Sequence, residues 1–205
     1  MTHEQPDKTY RAIRHDIVRK LQRDNAKSVH HPDEKLSQLD RVLEGENKNI
    51  LELFAGQGNL TRKYLEFGEV DAFDKKYLKT GDSFVQFHRL IGEKKTYDII
   101  DLDPYGFPNR FFPDIFLLIS DGLLVMTMPK PYVNILNPMT QTLMRSYFGQ
   151  QNPSVDVIIE QIATWGICHW RKVELIDSID LKSVWRFAFR VKRVKATEYT
   201  GSRNR

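Results

Sequence analysis

The 205 residues carry 31 Lys and Arg against 27 Asp and Glu, and 40% are hydrophobic. That length fits one domain with a core of its own. The lone Cys168 excludes an internal disulfide framework and a Cys-rich zinc site, and the six histidines lack the spacing of a metal-binding helix face, so no metal is expected.

The opening stretch, "MTHEQPDKTYRAIRHD", is polar, and no apolar run approaches the roughly 20 residues of a membrane span. A soluble, cytoplasmic protein with no membrane partner is expected. The net charge of +4 is unevenly spread: residues 182–205 carry +7 and residues 1–35 carry +2, which leaves −5 on the middle. An acidic body with basic ends suits an enzyme holding a polyanion at its rim. A solvated tail accounts for the same charge equally well.

In chain order, Tyr10, Ile13, Ile17 and Leu21 fall at helical spacing. "HPDEKLSQLDRVL" restarts a helix, with Asp33 as the expected cap, Leu36, Leu39, Val42 and Leu43 inward, and Gly45 as the stop. Residues 1–46 are thus an N-terminal helical extension, 47–195 the main domain and 196–205 a basic tail. Within the main domain short apolar runs alternate with helical patterns. "NILELF", "VDAFD", "YDIIDLD" and "GLLVMTM" read as strands, with "NLTRKYLEF", "SFVQFHRLI" and "RFFPDIFLLIS" as the helices between them. Strands separated by such helices imply right-handed crossovers and a mostly parallel sheet. "VDVIIEQIATWGI" is a further helix, and "KVELIDSIDL" and "VWRFAFRVKR" pair as antiparallel strands.

Two features at strand ends carry chemistry. "ELFAGQGNLTR" places Gly56 and Gly58 where a buried strand turns into a helix, which permits positive φ and close approach of a ligand to the backbone. Thr61 stands where a dinucleotide fingerprint wants a third glycine. The next strand ends in Asp74, placed to accept hydrogen bonds from ribose hydroxyls. Asp82 either receives an adenine amino group at the next strand–helix junction or caps the following helix. The second feature is "DLDPYGFP". Asp103 and the Pro104 carbonyl can each accept one N–H of an exocyclic amine, Tyr105 offers a stacking face, and Gly106 leaves room for a base plane. Asp101 shares a strand face with Asp103. It either contacts a cofactor, raises the pKa of its neighbour so that it takes the amine's proton, or makes a structural hydrogen bond.

With Glu52, Gly56, Gly58, Asp74, Asp82 and "DLDPYG" in that order, residues 47–193 resemble the class I S-adenosylmethionine-dependent methyltransferases. The resemblance implies an α/β, doubly wound, mostly parallel seven-stranded sheet with an antiparallel last strand, a Rossmann-like methyltransferase fold. It implies S-adenosyl-L-methionine as cofactor, with Glu52, Gly56 and Gly58 near its methionine end, Asp74 at the ribose, Asp82 at the adenine, and Phe54, Ser83 and Asp101 as further cofactor contacts.

"DLDPYGFP" is similar to the Asp-Pro-aromatic-Gly segment of the tRNA guanine-N2 dimethyltransferase family, which implies catalytic roles for Asp103, Pro104 and Tyr105. It also resembles the (D/N)-P-P-(Y/F) box of DNA and RNA amino-methyltransferases, from which Tyr105 departs. The residues after 195 are not expected to form the C-terminal RNA-binding domain of the tRNA family.

The expected partner is nucleic acid, RNA ahead of DNA, with a homodimer or a partner protein as a further source of target recognition. Gly106, Arg110, Phe111, Lys130, Tyr132, Arg186, Arg190 and Lys192 are the expected substrate contacts. Methylation of DNA adenine N6 or cytosine N4 is the alternative within the class. A non-catalytic nucleic-acid-binding module and a small-molecule or protein amine methyltransferase are alternatives outside it. Cytosine C5 methylation lacks a suitable cysteine, and neither a Ser nucleophile elbow nor a phosphate-binding P-loop is present.

Overall fold

A computed structural model describes residues 31–130 and 138–195. The helical pattern at residues 10–21, the tail 196–205 and Tyr132 lie outside the described residues.

Helix α1 (Pro32–Val42) starts with proline in its first turn behind His31. Asp33 therefore lies inside the helix and is not its cap. Pro at the first helical position costs no hydrogen bond, because that N–H would have no partner within the helix. The strands and helices that follow are β1 (Lys48–Leu53), α2 (Asn59–Tyr64), β2 (Gly68–Phe73), α3 (Ser83–Gly92) and β3 (Tyr97–Leu102). After β4 (Ile119–Pro129) come α4 (Pro138–Phe148), α5 (Val155–Cys168), β5 (Arg171–Asp180) and β6 (Val184–Arg193).

The strands form one sheet in the order β2-β1-β3-β4-β6-β5. β1 pairs parallel with β2 and β3, and β3 with β4, whereas β6 runs antiparallel to both β4 and β5. Among the described residues the sheet has six strands where seven were expected. The segment 74–82 between β2 and α3 contains no strand. Its sequence, "DKKYLKTGD", is too polar to fill a two-faced buried strand.

Two apolar layers cover the sheet. On one face Ile50, Ile99, Leu123, Val125 and Ala188 pack under Leu39 of α1, Leu43 just after it, and Leu60 and Tyr64 of α2. On the other, Leu51, Ile100, Leu124, Met126, Phe187 and Phe189 meet α3, α4 and α5 through Phe87, Met144 and Ile158. The alternation along β1, β3 and β4 assigns each residue to a face, as strand pleating requires.

Two local expectations change. "RFFPDIFLLIS" is not one helix but two 3-10 turns, Pro108–Phe111 and Asp114–Leu117. Pro113 lacks the N–H a helix needs there and pushes Phe112 into extended geometry (φ −98°, ψ 143°). Helix α4 was missed, although Met144 and Phe148 are buried four residues apart and Gly149 follows with φ +69°.

Candidate active site

The four parallel strands end along one edge, and the loops that leave them supply the crevice, as in other open α/β sheets. At the end of β1, Gly56 (φ +55°) and Gly58 (φ +76°) both take left-handed backbone conformations. A Cβ at Gly56 would meet nothing nearer than the Phe54 carbonyl oxygen at 4.0 Å, so its backbone is open to approach. The Gly56 N–H donates to Asp74 Oδ2 at 3.2 Å. Asp74 Oδ1 accepts from the N–H groups of Lys76 and Tyr77 at 2.8 and 2.6 Å, which folds the loop after β2 around this carboxylate. The glycine turn and the acid at the end of the next strand are thus brought together.

Asp82 Oδ1 accepts from the N–H groups of Phe84 and Val85 at 3.0 and 3.3 Å, the capping role. Ser83 is buried, and its hydroxyl joins the Phe54 N–H to the Phe73 carbonyl, each at 3.2 Å. That hydroxyl ties β1 to β2 and is not presented to a ligand. Phe54 is half-buried and meets Phe111 edge-on at 5.5 Å. Phe111, an expected substrate contact, is instead buried among Phe54, Phe84 and Phe87.

Beneath the crevice, on the α1/α2 face, lies a buried polar network. Glu52 and Asp101 are neighbours in the β1–β3 register. Both are buried, so neither reaches the crevice where the cofactor was expected to touch them. Thr61, at the place of the expected third glycine, donates its hydroxyl to Glu52 Oε2 at 2.5 Å. Burial, reinforced by the charge of Asp101, raises the Glu52 pKa well above the ordinary carboxyl range. Asp101 Oδ2 accepts from the Tyr64 hydroxyl (2.6 Å) and from Arg186 Nη2 (2.5 Å). Arg186 Nη1 donates to Thr127 Oγ1 at 3.0 Å and lies 3.9 Å from Asp103 Oδ1. Burial penalises the Arg186 charge, but Asp101 and Asp103 outweigh it and raise its pKa.

Asp103 stands at the mouth of this network with 20% of its side chain exposed. Its Oδ2 accepts from Lys35 Nζ of α1 at 2.5 Å. Burial pushes the carboxyl pKa up, yet Arg186 and Lys35 together hold it below its ordinary value. Of the alternatives for Asp101, a raised pKa at Asp103 is not met, because two cations outweigh burial there, and Asp101 itself is hydrogen-bonded to Tyr64 and Arg186. Pro104 is half-buried, whereas Tyr105 is 76% exposed. Gly106 adopts φ +113° with nothing within 4 Å of a would-be Cβ.

The expected substrate contacts divide. Arg110 is exposed, with its guanidinium 4.0 Å from the centre of the Phe84 ring, a cation–π contact. Lys130 is buried, ion-paired with Asp180, and lies over the Trp185 ring. Arg186 belongs to the buried network, so it does not contact phosphate. Arg190 and Lys192 are exposed, but at the wrong end of the sheet: Arg190 pairs with Leu123 near the start of β4, and Val184 with Pro129 at its end. In an antiparallel strand, later residues run away from the carboxyl edge, here by about 3.4 Å each.

Sequence reasoning missed Lys35, Tyr64 and Thr127. Lys35 falls one turn before Leu39 on the inward face of α1, which was the available signal. It also missed the cations of the loop after β2, where Lys75, Lys76 and Lys79 are exposed. Lys76 Nζ lies over the Tyr77 ring, 4.8 Å from its centre.

No family model matches the chain, and no curated protein matches it. Among solved structures it is similar to SMU.776, a putative methyltransferase complexed with SAH, at 14% identity and a TM-score of 0.52 over 80% of this chain and 50% of that one. It is similar to ribosomal protein L11 methylase from Lactobacillus delbrueckii subsp. bulgaricus at 12% identity and a TM-score of 0.50, over 80% of each chain. Trm1 from Pyrococcus horikoshii, in complex with S-adenosyl-L-methionine, matches at 14% identity and a TM-score of 0.46, over 71% of this chain and 44% of that one. The chain thus spans about half the length of the first solved structures it matches. The similarities to SMU.776 and the L11 methylase, together with the strand order, establish the Rossmann-like fold that those methyltransferases have.

Proposed function

We propose that this protein is an S-adenosylmethionine-dependent methyltransferase acting on an exocyclic amine of a nucleic-acid base, with guanine N2 of tRNA as the favoured acceptor. The observation that carries it is the Asp103-Pro104-Tyr105-Gly106 loop at the carboxyl end of β3, with an ionised carboxylate beside an exposed ring and an open glycine.

The residues fit the cofactor where they remain accessible. Gly56 leaves its backbone open, the Asp74 carboxylate lies against it, and Phe54 and Phe84 supply an apolar wall. Asp82 keeps Oδ2 outside its helix cap for an amino group. When bound, S-adenosylmethionine supplies an electrophilic methyl group on a sulfonium. The Asp103 side chain and the Pro104 carbonyl accept the two amine N–H groups and turn the nitrogen lone pair out of conjugation with the ring. This nitrogen would take the methyl that bound S-adenosylmethionine gives up from sulfur, and the Asp103 carboxylate would be placed to take the proton that the nitrogen then sheds. A methylated aryl-ammonium is acidic enough that a carboxylate below its usual range still accepts that proton. Tyr105 stacks on the base, while Lys75, Lys76, Lys79 and Arg110 lie where backbone phosphates would pass. RNA is favoured over DNA because Asp103-Pro104-Tyr105-Gly106 is similar to the Asp-Pro-aromatic-Gly segment of the tRNA family, whereas Tyr105 departs from the second proline of the (D/N)-P-P-(Y/F) box.

The test is transfer of labelled methyl groups from S-adenosylmethionine to total RNA and to total DNA, followed by nucleoside analysis. N2-methylguanosine in the RNA pool is expected, and Asp103→Ala should abolish it while sparing cofactor binding. Label confined to adenine or cytosine of DNA, or absent from both pools, overturns this reading.

A further inference from the structure

Helix α1 lies outside the βαβ series that builds the crevice, yet it places a buried ammonium on the carboxylate at the crevice mouth. Lys35 is only 6% exposed. Its Nζ is 2.5 Å from Asp103 Oδ2, and Gln38, one turn further along, donates to the Arg186 carbonyl at 3.4 Å. A lysine used merely to seat a helix is a poor choice. Burying an ammonium costs several kcal/mol, and an apolar side chain would pack α1 against Leu39's layer without that cost.

We propose that Lys35 is a positioning residue for the methyl-accepting site: delivered by α1, its ammonium fixes the Asp103 carboxylate in the orientation that receives an acceptor N–H. This rests on Asp103 being the amine acceptor. Lys35 at Oδ2 and Arg186 towards Oδ1, with Thr127 hydrogen-bonding the same carboxylate, set its rotation. Oδ1, with its longer 3.9 Å approach to Arg186, is then the oxygen left for the substrate.

Charge balance supports the same role. Facing Asp103 are Lys35 from α1, Arg186 from β6, Thr127 from β4 and Glu52 from β1, and Asp101 of β3 and Tyr64 of α2 join this group through Arg186. With Glu52 and Tyr64 kept neutral by burial and by the charge of Asp101, two cations oppose two carboxylates. Removing Lys35 leaves one carboxylate in excess. The Asp103 pKa then rises, so the ionised form needed to accept an N–H disappears at a higher pH.

The experiment compares Lys35→Met and Lys35→Arg in the full chain. Lys35→Met should bind S-adenosylmethionine with the wild-type Kd, lose about 100-fold in kcat, and show an acid limb of kcat/KM moved to higher pH. Lys35→Arg, which keeps the charge, should recover most of both. A Lys35→Met enzyme with wild-type kcat and pH profile overturns the proposal.

Carbon-13 NMR titration of the Asp103 carboxyl in the wild-type chain provides a readout that needs neither activity nor a folded Met variant. A carboxyl titrating in the ordinary range overturns the proposal by itself. Absence of methyl transfer by the wild-type chain overturns the functional reading instead, so the two failures are separable.

Discussion

Arg186 of β6 donates to Asp101 of β3 at 2.5 Å across the intervening strand β4, and neither side chain has any solvent exposure. The guanidinium spans β4 by also bonding Thr127 on it, so one side chain ties three strands beneath the crevice. Removing one partner of such a pair leaves an uncompensated buried charge. Arg186→Met should therefore destabilise the fold by about 3–5 kcal/mol, measured by urea unfolding. A destabilisation below about 1 kcal/mol would show that the pair does not hold the sheet together.

Glu52 gives the stability a pH dependence of the opposite sign to that of a salt-bridged acid. Its folded pKa lies above the unfolded value of about 4.3, for burial and for the charge of Asp101. The native state therefore binds the proton more tightly than the unfolded chain, and this contribution declines as pH rises above the unfolded value. Glu52→Gln keeps a polar partner for Thr61 without the titration. It should be more stable than wild type at about pH 8, with the advantage vanishing below about pH 4, as thermal unfolding across pH would show.

Asp74 couples the glycine turn to the loop after β2. Under the proposed cofactor role, Asp74→Ala should weaken S-adenosylmethionine binding by about 10- to 100-fold, the worth of hydrogen bonds to a charged group. Isothermal titration gives the answer directly, and an unchanged Kd removes Asp74 from the cofactor site.

Tyr105 contributes little to the core at 76% exposure. Tyr105→Ala should leave the unfolding midpoint unchanged and weaken nucleic-acid binding by about 1–3 kcal/mol, the worth of one stacked base. Equal affinity in the mutant would take away the stacking role.

The placement of the rim cations separates two surfaces. Lys76→Ala should lower the slope of log K against log salt by about 0.7–0.9 for each phosphate that its ammonium neutralises. Arg190→Ala and Lys192→Ala, at the far end of β6, should leave both affinity and slope unchanged. Fluorescence anisotropy over a salt series distinguishes them, and the reverse pattern would return the polyanion to β6.

The strand and helix alternation was legible because pleating and helical periodicity write burial directly into residue order. Ile50, Ile99 and Val125 lie where that period assigns them. The 3-10 turns replaced a helix because Pro113 overrides a helical apolar spacing. The misplacement of Arg190 and Lys192 came from reading their face without their direction. Once β5 and β6 are paired antiparallel, the later residues of β6 recede from the crevice.

By itself the sequence determined the class of fold, the glycine turn beside Asp74 and the Asp-Pro-Tyr-Gly loop, since these depend on local spacing and on strand ends. Only the tertiary structure decided which charges stand at the crevice mouth and which are buried partners. Glu52, Asp101, Arg186, Lys130 and Asp103 are all charged residues at or near strand ends in the sequence, and nothing local separates them. What separates them is who faces whom across β4 and under α1. Lys35 and Asp103 are 68 residues apart, and Asp101 and Arg186 are 85 apart. Electrostatic pairing depends on distance in space and on exclusion of water, and neither is written in the order of the chain.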